Sequence, residues 1–381
     1  MKRKSLVAAL GVVLVLLLAV GVTMAYLQGK TDTVINKFKD NEVDISINET
    51  TGNDYNILPG TEQDKDPTLT VTATTPAYAY VEITDNTQNL VTWELNDGWT
   101  ALGTSYPNVY YRELPGQSSA YTFPLLKDNK VSYSSTLTTQ DIRAGKAAAD
   151  AANVEMNLEF TGYAMQKVPF NDPVTAWLAA AAQPVGTLQE LKDALAAGKS
   201  VVLTADMDLD EQLVVNNPAV IDLNGHTISN TNDLRNQATN TLALISVQGA
   251  DADLTLVGNG TVKAKADDCY AVDVRDGGKL TIDGGSYVGN VSAVYVDTGD
   301  LVINGGSFDI QQLADGTDAA QYRFLIDNLD ANWTNNTNHV TINGGSFHNF
   351  DPDDNASEGA HTDYVPTGYG SVLTDEWYKV S

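Results

Sequence analysis

Apolar and polar side chains alternate in short runs along the first half of the chain. Residues 43–47 and 154–160 alternate strictly, and residues 78–83 alternate in part. A period of two predicts strands with one buried face and one exposed face. Because the runs are short and are separated by turn-forming pairs such as Pro59-Gly60, they favour an antiparallel β-sandwich. One alanine-rich stretch near residues 140–152 predicts a helix.

The second half of the chain repeats one short pattern. The sequence LTIDGGSY at residues 280–287 returns as LVINGGSF at residues 301–308 and as VTINGGSF at residues 340–347, and weaker copies begin at residues 221 and 254. This spacing predicts a solenoid, in which a single coil cannot bury its apolar side alone but stacked coils share one core.

The physical interpretation of the repeat is a parallel β-helix. Ile282 would then lie over Ile303, and Tyr287 over Phe308, in interior ladders about 4.8 Å apart. The pattern resembles that of right-handed, pectate-lyase-like β-helices, and this resemblance implies the right hand. The Asx residues before the Gly-Gly pairs would stack at the turns; they are Asp283, Asn304 and Asn343.

Both ends of the repeat half carry candidate caps. Thr187 and Glu190 have the spacing of a capping box, and Gly198 is placed to end the helix. The sequence thus predicts an amphipathic capping helix over residues 187–198. The stretch from residue 364 to residue 380 is polar with dispersed aromatic residues and is interpreted as the closing cap.

The first 25 residues have the features of a secretory signal peptide. Lys2, Arg3 and Lys4 precede an uncharged apolar run over residues 6–22, and the expected cleavage site lies between Ala25 and Tyr26. An uncleaved membrane anchor is the alternative interpretation of the apolar run. Cleavage predicts a secreted protein that has no membrane partner afterwards.

The N-terminal half resembles the TasA/camelysin family of exported proteins over roughly residues 5–183. The resemblance rests on residues 23–27 (TMAYL), 36–38 (NKF), 57–60 (ILPG) and 163–166 (YAMQ). It implies a jelly-roll sandwich over residues 26–183, export through a dedicated signal peptidase, and self-association in which an N-terminal segment adds as a strand to the next subunit. The β-helix then occupies residues 184–381, and the fold class is all-β.

Some members of that family are described as metallopeptidases, so the resemblance raises the question of zinc ligands. Residues 26–183 contain no histidine, and the motif H-E-x-x-H is absent from the sequence. A zinc peptidase needs converging ligands and a carboxylate that activates water. The sequence therefore argues against peptidase chemistry.

Composition narrows the possible partners. The chain has 49 acidic and 22 basic side chains and a net charge of −27, which disfavours nucleic-acid binding. The single cysteine, Cys269, excludes an internal disulfide and is interpreted as a small buried hydrophobic residue. The four histidines fit no zinc motif and are expected at turns or on the surface; they are His226, His339, His348 and His361.

Aspartates concentrate in the repeat half. The cluster is interpreted as a solvated acidic face, with weak calcium binding and catalysis as the alternatives. Glycosidase chemistry would need two carboxylates at a fixed gap, and pectate-type lyase chemistry would need calcium plus a base, for which Arg275 is the nearby arginine. No other cofactor is predicted. The weak calcium candidates are Asp267, Asp268, Asp273 and Asp276, with Asp297 and Asp300 nearby.

The aromatic residues of the repeat have two interpretations. Tyr287, Phe308 and Phe347 would form a sugar-stacking row if they faced outward, but they share the phase of the interior positions. An interior aromatic stack is therefore expected.

These observations predict an exported, non-enzymatic bacterial surface or extracellular-matrix protein that acts in a biofilm, a fibre or adhesion. Its expected partner is a second copy, through the N-terminal domain, and cell-surface or host glycans are the further class considered. The alternatives are a carbohydrate-active enzyme built on the β-helix, either a polysaccharide lyase or a hydrolase, and a monomeric glycan-binding adhesin.

Overall fold

The structure is a computed structural model that describes residues 28–30, 43–52, 55–170, 172–312, 322 and 324–381. The described residues form two compact units, one ending at Ala181 and the other beginning at Ala182. Strands dominate both units, which confirms the all-β class. The predicted signal peptide and its cleavage site, Ala25 and Tyr26, lie outside the described residues.

The first unit contains two main antiparallel sheets. The larger sheet has the spatial order β1 (Gln28–Lys30), β10 (Leu158–Gln166), β5 (Ala77–Asp85), β7 (Val109–Leu114) and β6 (Thr100–Ala101). The smaller sheet has the order β2 (Val43–Asn48), β4 (Thr68–Ala73) and β8 (Gln117–Pro124). A separate pair consists of β3 (Glu62–Asp64) and β9 (Lys130–Ser132).

Alternate residues of the two main sheets meet in one apolar core. Leu69 and Val71 of β4 and Ala79 and Val81 of β5 are fully buried in the same cluster. Their period of two places Thr70 and Tyr80, which lie between them, on the opposite faces of the two strands. This packing explains why the runs of alternating residues in the first half form strands.

Two helices complete the first unit. Helix α1 (Thr139–Ala152) begins at a capping box between Thr138 and Asp141, and it confirms the helix predicted near residues 140–152. Helix α2 (Pro173–Ala180) begins at Asp172, whose carboxylate accepts hydrogen bonds from two backbone N–H groups of the first turn. Helix α2 was not predicted from the sequence pattern.

The second unit is built from three sheets, which the consecutive strands over residues 201–348 visit in a fixed cyclic order. The first sheet contains β11 (Gln183–Val185), β12 (Val201–Leu203), β15 (Ala219–Asp222), β18 (Asp253–Val257), β21 (Gly278–Ile282), β24 (Gly299–Ile303) and β27 (Asn338–Ile342). The second contains β13 (Met207–Asp208), β16 (Thr227–Ser229), β19 (Thr261–Lys263), β22 (Ser286–Gly289), β25 (Ser307–Ile310), β28 (Gly345–His348), β30 (Trp377–Val380) and β29 (Ser371–Thr374). The third contains β14 (Leu213–Val215), β17 (Ala243–Gln248), β20 (Tyr270–Arg275), β23 (Val294–Val296) and β26 (Ile326–Asn328).

One passage through the three sheets is called a coil below. Each strand pairs in parallel with the corresponding strand of the next coil, as β21 does with β24. Ile282 is in register with Ile303, and Tyr287 with Phe308, and all four side chains are fully buried. The interior ladders predicted from the repeat are therefore confirmed. The sequence analysis did not identify the earliest strands, β11 and β12.

Both ends of the stack are covered. Helix α3 (Leu188–Ala196) begins at the Thr187–Glu190 capping box and is followed by Gly198 in the left-handed region at φ +66°, as the sequence predicted. At the C-terminal end, β30 pairs in the antiparallel direction with β28, the last parallel strand of its sheet. A short helix, α4 (Asp330–Thr334), lies in the insertion before β27.

Candidate functional site

The aspartates interpreted above as a solvated acidic face lie in and around β20 of the third sheet. That interpretation is wrong for Asp268 and Asp273, which are buried. Asp273 in β20 alternates with Val272 and Val274, which belong to the interior core. Its side chain is nevertheless 0% exposed. Arg275, two residues along the same strand, donates a 2.8 Å hydrogen bond to the carbonyl of Asn240, in the loop that follows β16. That loop therefore lies against this part of the sheet.

Both carboxylate oxygens of Asp273 have partners. Oδ1 accepts a hydrogen bond from the hydroxyl of Ser246 in β17, one coil earlier, and Oδ2 accepts one from Nη2 of Arg275. The Ser246 hydroxyl in turn accepts a 2.8 Å hydrogen bond from Nε2 of Gln248. Burial raises the pKa of Asp273, while the charge of Arg275 and the Ser246 hydrogen bond oppose that rise. The Ser246–Asp273 hydrogen bond thus joins neighbouring coils, and the buried ion pair with Arg275 lies within β20.

Asp268 fixes the start of the same loop. Its carboxylate accepts hydrogen bonds from the backbone N–H groups of Leu234 and Arg235, at 2.9 and 2.8 Å, and from the amide of Asn230 at 2.6 Å. Burial alone would raise the pKa of Asp268, but these donors outweigh it and the pKa is lowered. The carboxylate of Asp268 thus accepts two backbone hydrogen bonds from the loop and fixes the loop's conformation.

The two remaining calcium candidates occupy exposed turns. Asp267 and Asp276 have φ values of +62° and +56°, a conformation that Asp tolerates better than most residues. Across the described part of the chain, no group of three or more His, Cys, Asp or Glu side chains is arranged to hold a metal ion. The calcium site at these four residues stays a prediction.

Arg275 is the candidate base of the lyase alternative. Its guanidinium instead pairs with Asp273, and its side chain is only 5% exposed. The spacing Asp-x-Arg on one strand places both side chains on the same face, and this signal could have revealed the ion pair from the sequence.

The histidines and the cysteine have local partners. Cys269 is fully buried, as predicted, and burial raises the pKa of its thiol. The Nδ1 atom of each histidine lies close to an aspartate oxygen: His226 to Asp206 (3.3 Å), His339 to Asp300 (2.8 Å), His348 to Asp309 (2.7 Å) and His361 to Asp354 (2.8 Å).

The aromatic row of the repeat lies inside the stack. Tyr287 and Phe308 have ring centres 5.3 Å apart, Phe308 and Phe347 are 4.9 Å apart, and all three are fully buried. The interior stack is confirmed, and the sugar-stacking alternative for these three residues is wrong because no glycan can reach them.

No family model, characterised protein or solved structure matches this chain. The resemblances to the TasA/camelysin family and to pectate-lyase-like β-helices therefore stay predictions. None of the helices formed by the described residues is both long and apolar enough to cross a membrane.

Proposed function

We propose that this protein is an exported, non-enzymatic component of a bacterial surface or extracellular matrix. The observation that carries the proposal is the pairing of Asp273 with Ser246 and Arg275. The most enclosed carboxylate of the acidic cluster is engaged on both oxygens and has no exposed surface. Because its hydrogen bond to Ser246 holds neighbouring coils together, this carboxylate has a structural role. A structural role supports the proposal that the second unit is a scaffold that presents a surface to partners.

The proposal includes a finer account of the two units. The first unit is a TasA-like jelly-roll sandwich, which its two antiparallel sheets and common core support. The second unit is a right-handed parallel β-helix, which the cyclic order of its three sheets supports. The right hand agrees with the general rule that crossovers between parallel strands turn in that direction.

Self-association through the first unit follows from the position of β1. The segment Gln28–Lys30 pairs with β10 of its own chain, with Gly29 opposite Ala164. A strand that occupies an edge of its own sheet can be exchanged for the same strand of another copy, because every hydrogen bond is conserved in the exchange. Repeated head-to-tail exchange would produce a fibre of the mature protein.

A disulfide-trapping experiment tests the exchange. The variant Gly29→Cys/Ala164→Cys, made in a Cys269→Ala background, places two thiols at opposed positions of an antiparallel pair. The Cα atoms of such pairs are about 4.5–5.5 Å apart, within the range that a disulfide spans. After assembly and oxidation, we expect a ladder of covalent multimers on a denaturing gel without reductant.

A single-cysteine control makes the trap specific. Gly29→Cys alone in the same background should give at most dimers, because each chain then carries one thiol. The double variant could instead form its disulfide only within each chain, in a sample that contains assembled material. That result would contradict strand exchange and with it the proposed mode of assembly.

A further inference from the structure

The second sheet of the second unit ends in an open edge. Strand β29 is the last strand of this sheet and pairs with β30 on one side only. Val372 is 64% exposed and Leu373 is 55% exposed, and within the described ranges no other two consecutive large apolar side chains are both exposed. The open edge of a sheet is a place where a further strand can add. The edge at β29 is therefore a candidate interaction surface.

Leu373 continues a row of apolar side chains that begins inside the stack. Tyr378 in β30 is opposite Phe347, the last member of the interior aromatic stack, and Leu373 is opposite Tyr378. Directly opposite residues share one face of a sheet, so all three side chains lie on the core side. Phe347 is fully buried and Tyr378 is partly buried against the core, whereas Leu373 is exposed. A strand added at the edge would cover Leu373 and extend the apolar row.

The backbone groups of β29 alternate in direction. Gly370 and Ser381 exchange two backbone hydrogen bonds, at 3.3 and 3.2 Å. In an antiparallel pair every second residue of a strand makes such bonds, and the residues between them point their N–H and C=O groups away from the neighbouring strand. Ser371 and Leu373 therefore direct these groups toward the open edge. The N–H of Ser371 makes a long contact there, 3.5 Å to a carboxylate oxygen of Asp353.

We propose that this edge pairs with β29 of a second copy, in the antiparallel direction about a twofold axis. With Val372 opposite Val372 of the second copy, Ser371 of each copy lies opposite Leu373 of the other. Both residues direct their N–H and C=O groups to the edge, so this register forms four hydrogen bonds between the copies. Such a contact is isologous and closes as a pair. It is a second interface, separate from the exchange of β1, and would join neighbouring fibres side by side.

Two acidic copies can meet at β29 because the strand is uncharged. The chain has a net charge of −27, so copies repel one another over most of their surface, but residues 371–374 carry no charge. Charged side chains and prolines, which protect many edge strands from pairing, are absent from these four residues. A basic segment of another protein fits less well, since the exposed Lys379 lies beside Val372 on the same face. The carboxylates of Asp353 and Asp375 at the two ends of the strand, and its short length, keep the contact between copies weak.

A disulfide trap on the full mature chain, in the Cys269→Ala background, captures such a weak contact. Val372→Cys places two thiols at directly opposite positions without hydrogen bonds, where Cα atoms are about 4.5 Å apart and a disulfide can form. Covalent dimers should therefore accumulate on oxidation. Thr374→Cys, which is exposed on the same face of the same strand, is the matched control. Its two copies are four residues out of register, or about 13 Å, so dimers should form at least about tenfold more slowly.

A further substitution probes the apolar contact. Leu373→Lys, added to the Val372→Cys chain, brings two ammonium groups close together across the twofold axis and should slow dimer formation at least about tenfold. Leu58→Lys, the same change at an exposed leucine of the first unit, should leave the rate unchanged.

Several outcomes would overturn the proposal. No covalent dimer from Val372→Cys, equal rates for Val372→Cys and Thr374→Cys, or an unchanged rate with Leu373→Lys would each do so. Capture of the peptide KVCVK by the Val372→Cys chain without dimer formation would assign the edge to a basic segment of another protein instead. Because the trap depends on β29 alone, its result is independent of whether β1 exchanges between copies.

Discussion

The side-chain amide of Asn304 donates a 2.7 Å hydrogen bond to the carboxylate of Asp283, which occupies the same position one coil earlier. The side-chain amide of Asn343 continues the row by donating a 2.9 Å hydrogen bond to the side-chain Oδ1 of Asn304. The first member of this row, Asp283, is therefore a carboxylate, whereas the two later members are amides. Burial raises the pKa of Asp283, and the Asn304 amide only partly opposes the rise.

This carboxylate makes the stability of the second unit depend on pH. Because folding favours its protonated form, its stabilising contribution is complete below about pH 4 and is lost as the pH rises through the elevated pKa. Asp283→Asn keeps an acceptor for Asn304 and removes the charge. We expect it to stabilise the unit at pH 7 by about 0.5–2 kcal/mol relative to the wild type, with a smaller gain at pH 4.

Urea unfolding at the two pH values measures this difference. Asn304→Asp is the matched opposite change, since it places a second carboxylate against Asp283 and removes the donor. It should cost about 1–3 kcal/mol at pH 7. A gain from Asp283→Asn that is larger at pH 4 than at pH 7 would show that the sign assigned to the buried carboxylate is wrong.

The interior ladder predicts that an aspartate is tolerated at position 281 but not at position 303. Ile303 is fully buried between Ile282 and Ile342, whereas Thr281 lies on the outward phase of β21 and is half-buried. Ile303→Asp buries an unpaired carboxylate and should cost more than about 4 kcal/mol. Thr281→Asp should stay within about 0.5 kcal/mol of the wild type. Equal costs in a thermal unfolding comparison would contradict the register.

The ion pair of Asp273 and Arg275 should behave as a structural unit. Arg275→Met leaves a buried carboxylate without its cation and should cost about 3–5 kcal/mol. Asp273→Leu/Arg275→Met removes both charges and should cost less than Arg275→Met alone. The free energies of unfolding of the two single variants and the double variant form a cycle that measures the coupling. Additive costs would contradict the pairing.

Ionisation of Glu358 is expected to loosen the loop over residues 351–366 as the pH rises through about 7. Burial raises the pKa of its carboxyl to about 7, the nearby Asp330 adds to the rise, and the N–H of Asn328, 3.1 Å away, opposes it. Its contribution to stability is therefore complete below pH 4.5, its ordinary pKa, and is lost as the pH passes through about 7.

Hydrogen exchange, corrected for its intrinsic pH dependence, should show protection of residues 351–366 falling between about pH 6 and about pH 8. Glu358→Gln should remove most of that fall. Glu155→Gln, the same change at an exposed site of the other unit, should leave it intact. A pH profile of the loop that is identical in the wild type and in Glu358→Gln would disprove the role of this carboxyl.

Much of the second unit could be predicted because its residues repeat. The Gly-Gly pairs of the copies that begin at residues 280, 301 and 340 fix the phase of those coils, so the register of Ile282 with Ile303 follows once two copies are aligned. The strands β11 and β12 could not be recognised because they have only three residues each and are not followed by the Asn-Gly or Gly-Gly pair of the other copies.

The chemistry of the sites was harder to predict, since it depends on contacts between segments that are distant in the sequence. Asp268 is held by backbone groups more than 30 residues earlier, at Leu234 and Arg235. Ser371 at the start of β29 contacts Asp353, which lies 18 residues earlier in the chain. Neither arrangement leaves a periodic signal along the chain, because only the tertiary fold brings these residues together.

The most direct test of the account is the size distribution, by sedimentation velocity, of the protein that begins at Tyr26. Loss of Lys2, Arg3 and Lys4 with residues 1–25 changes the net charge from −27 to about −30. Such subunits repel one another at low ionic strength, so salt, calcium or acid pH should promote assembly. We expect filaments under one of these conditions, and we expect the variant that lacks residues 26–38 to stay monomeric with both units folded. A full-length protein that is monomeric under all three conditions, or filaments that persist in the deletion variant, would contradict the account.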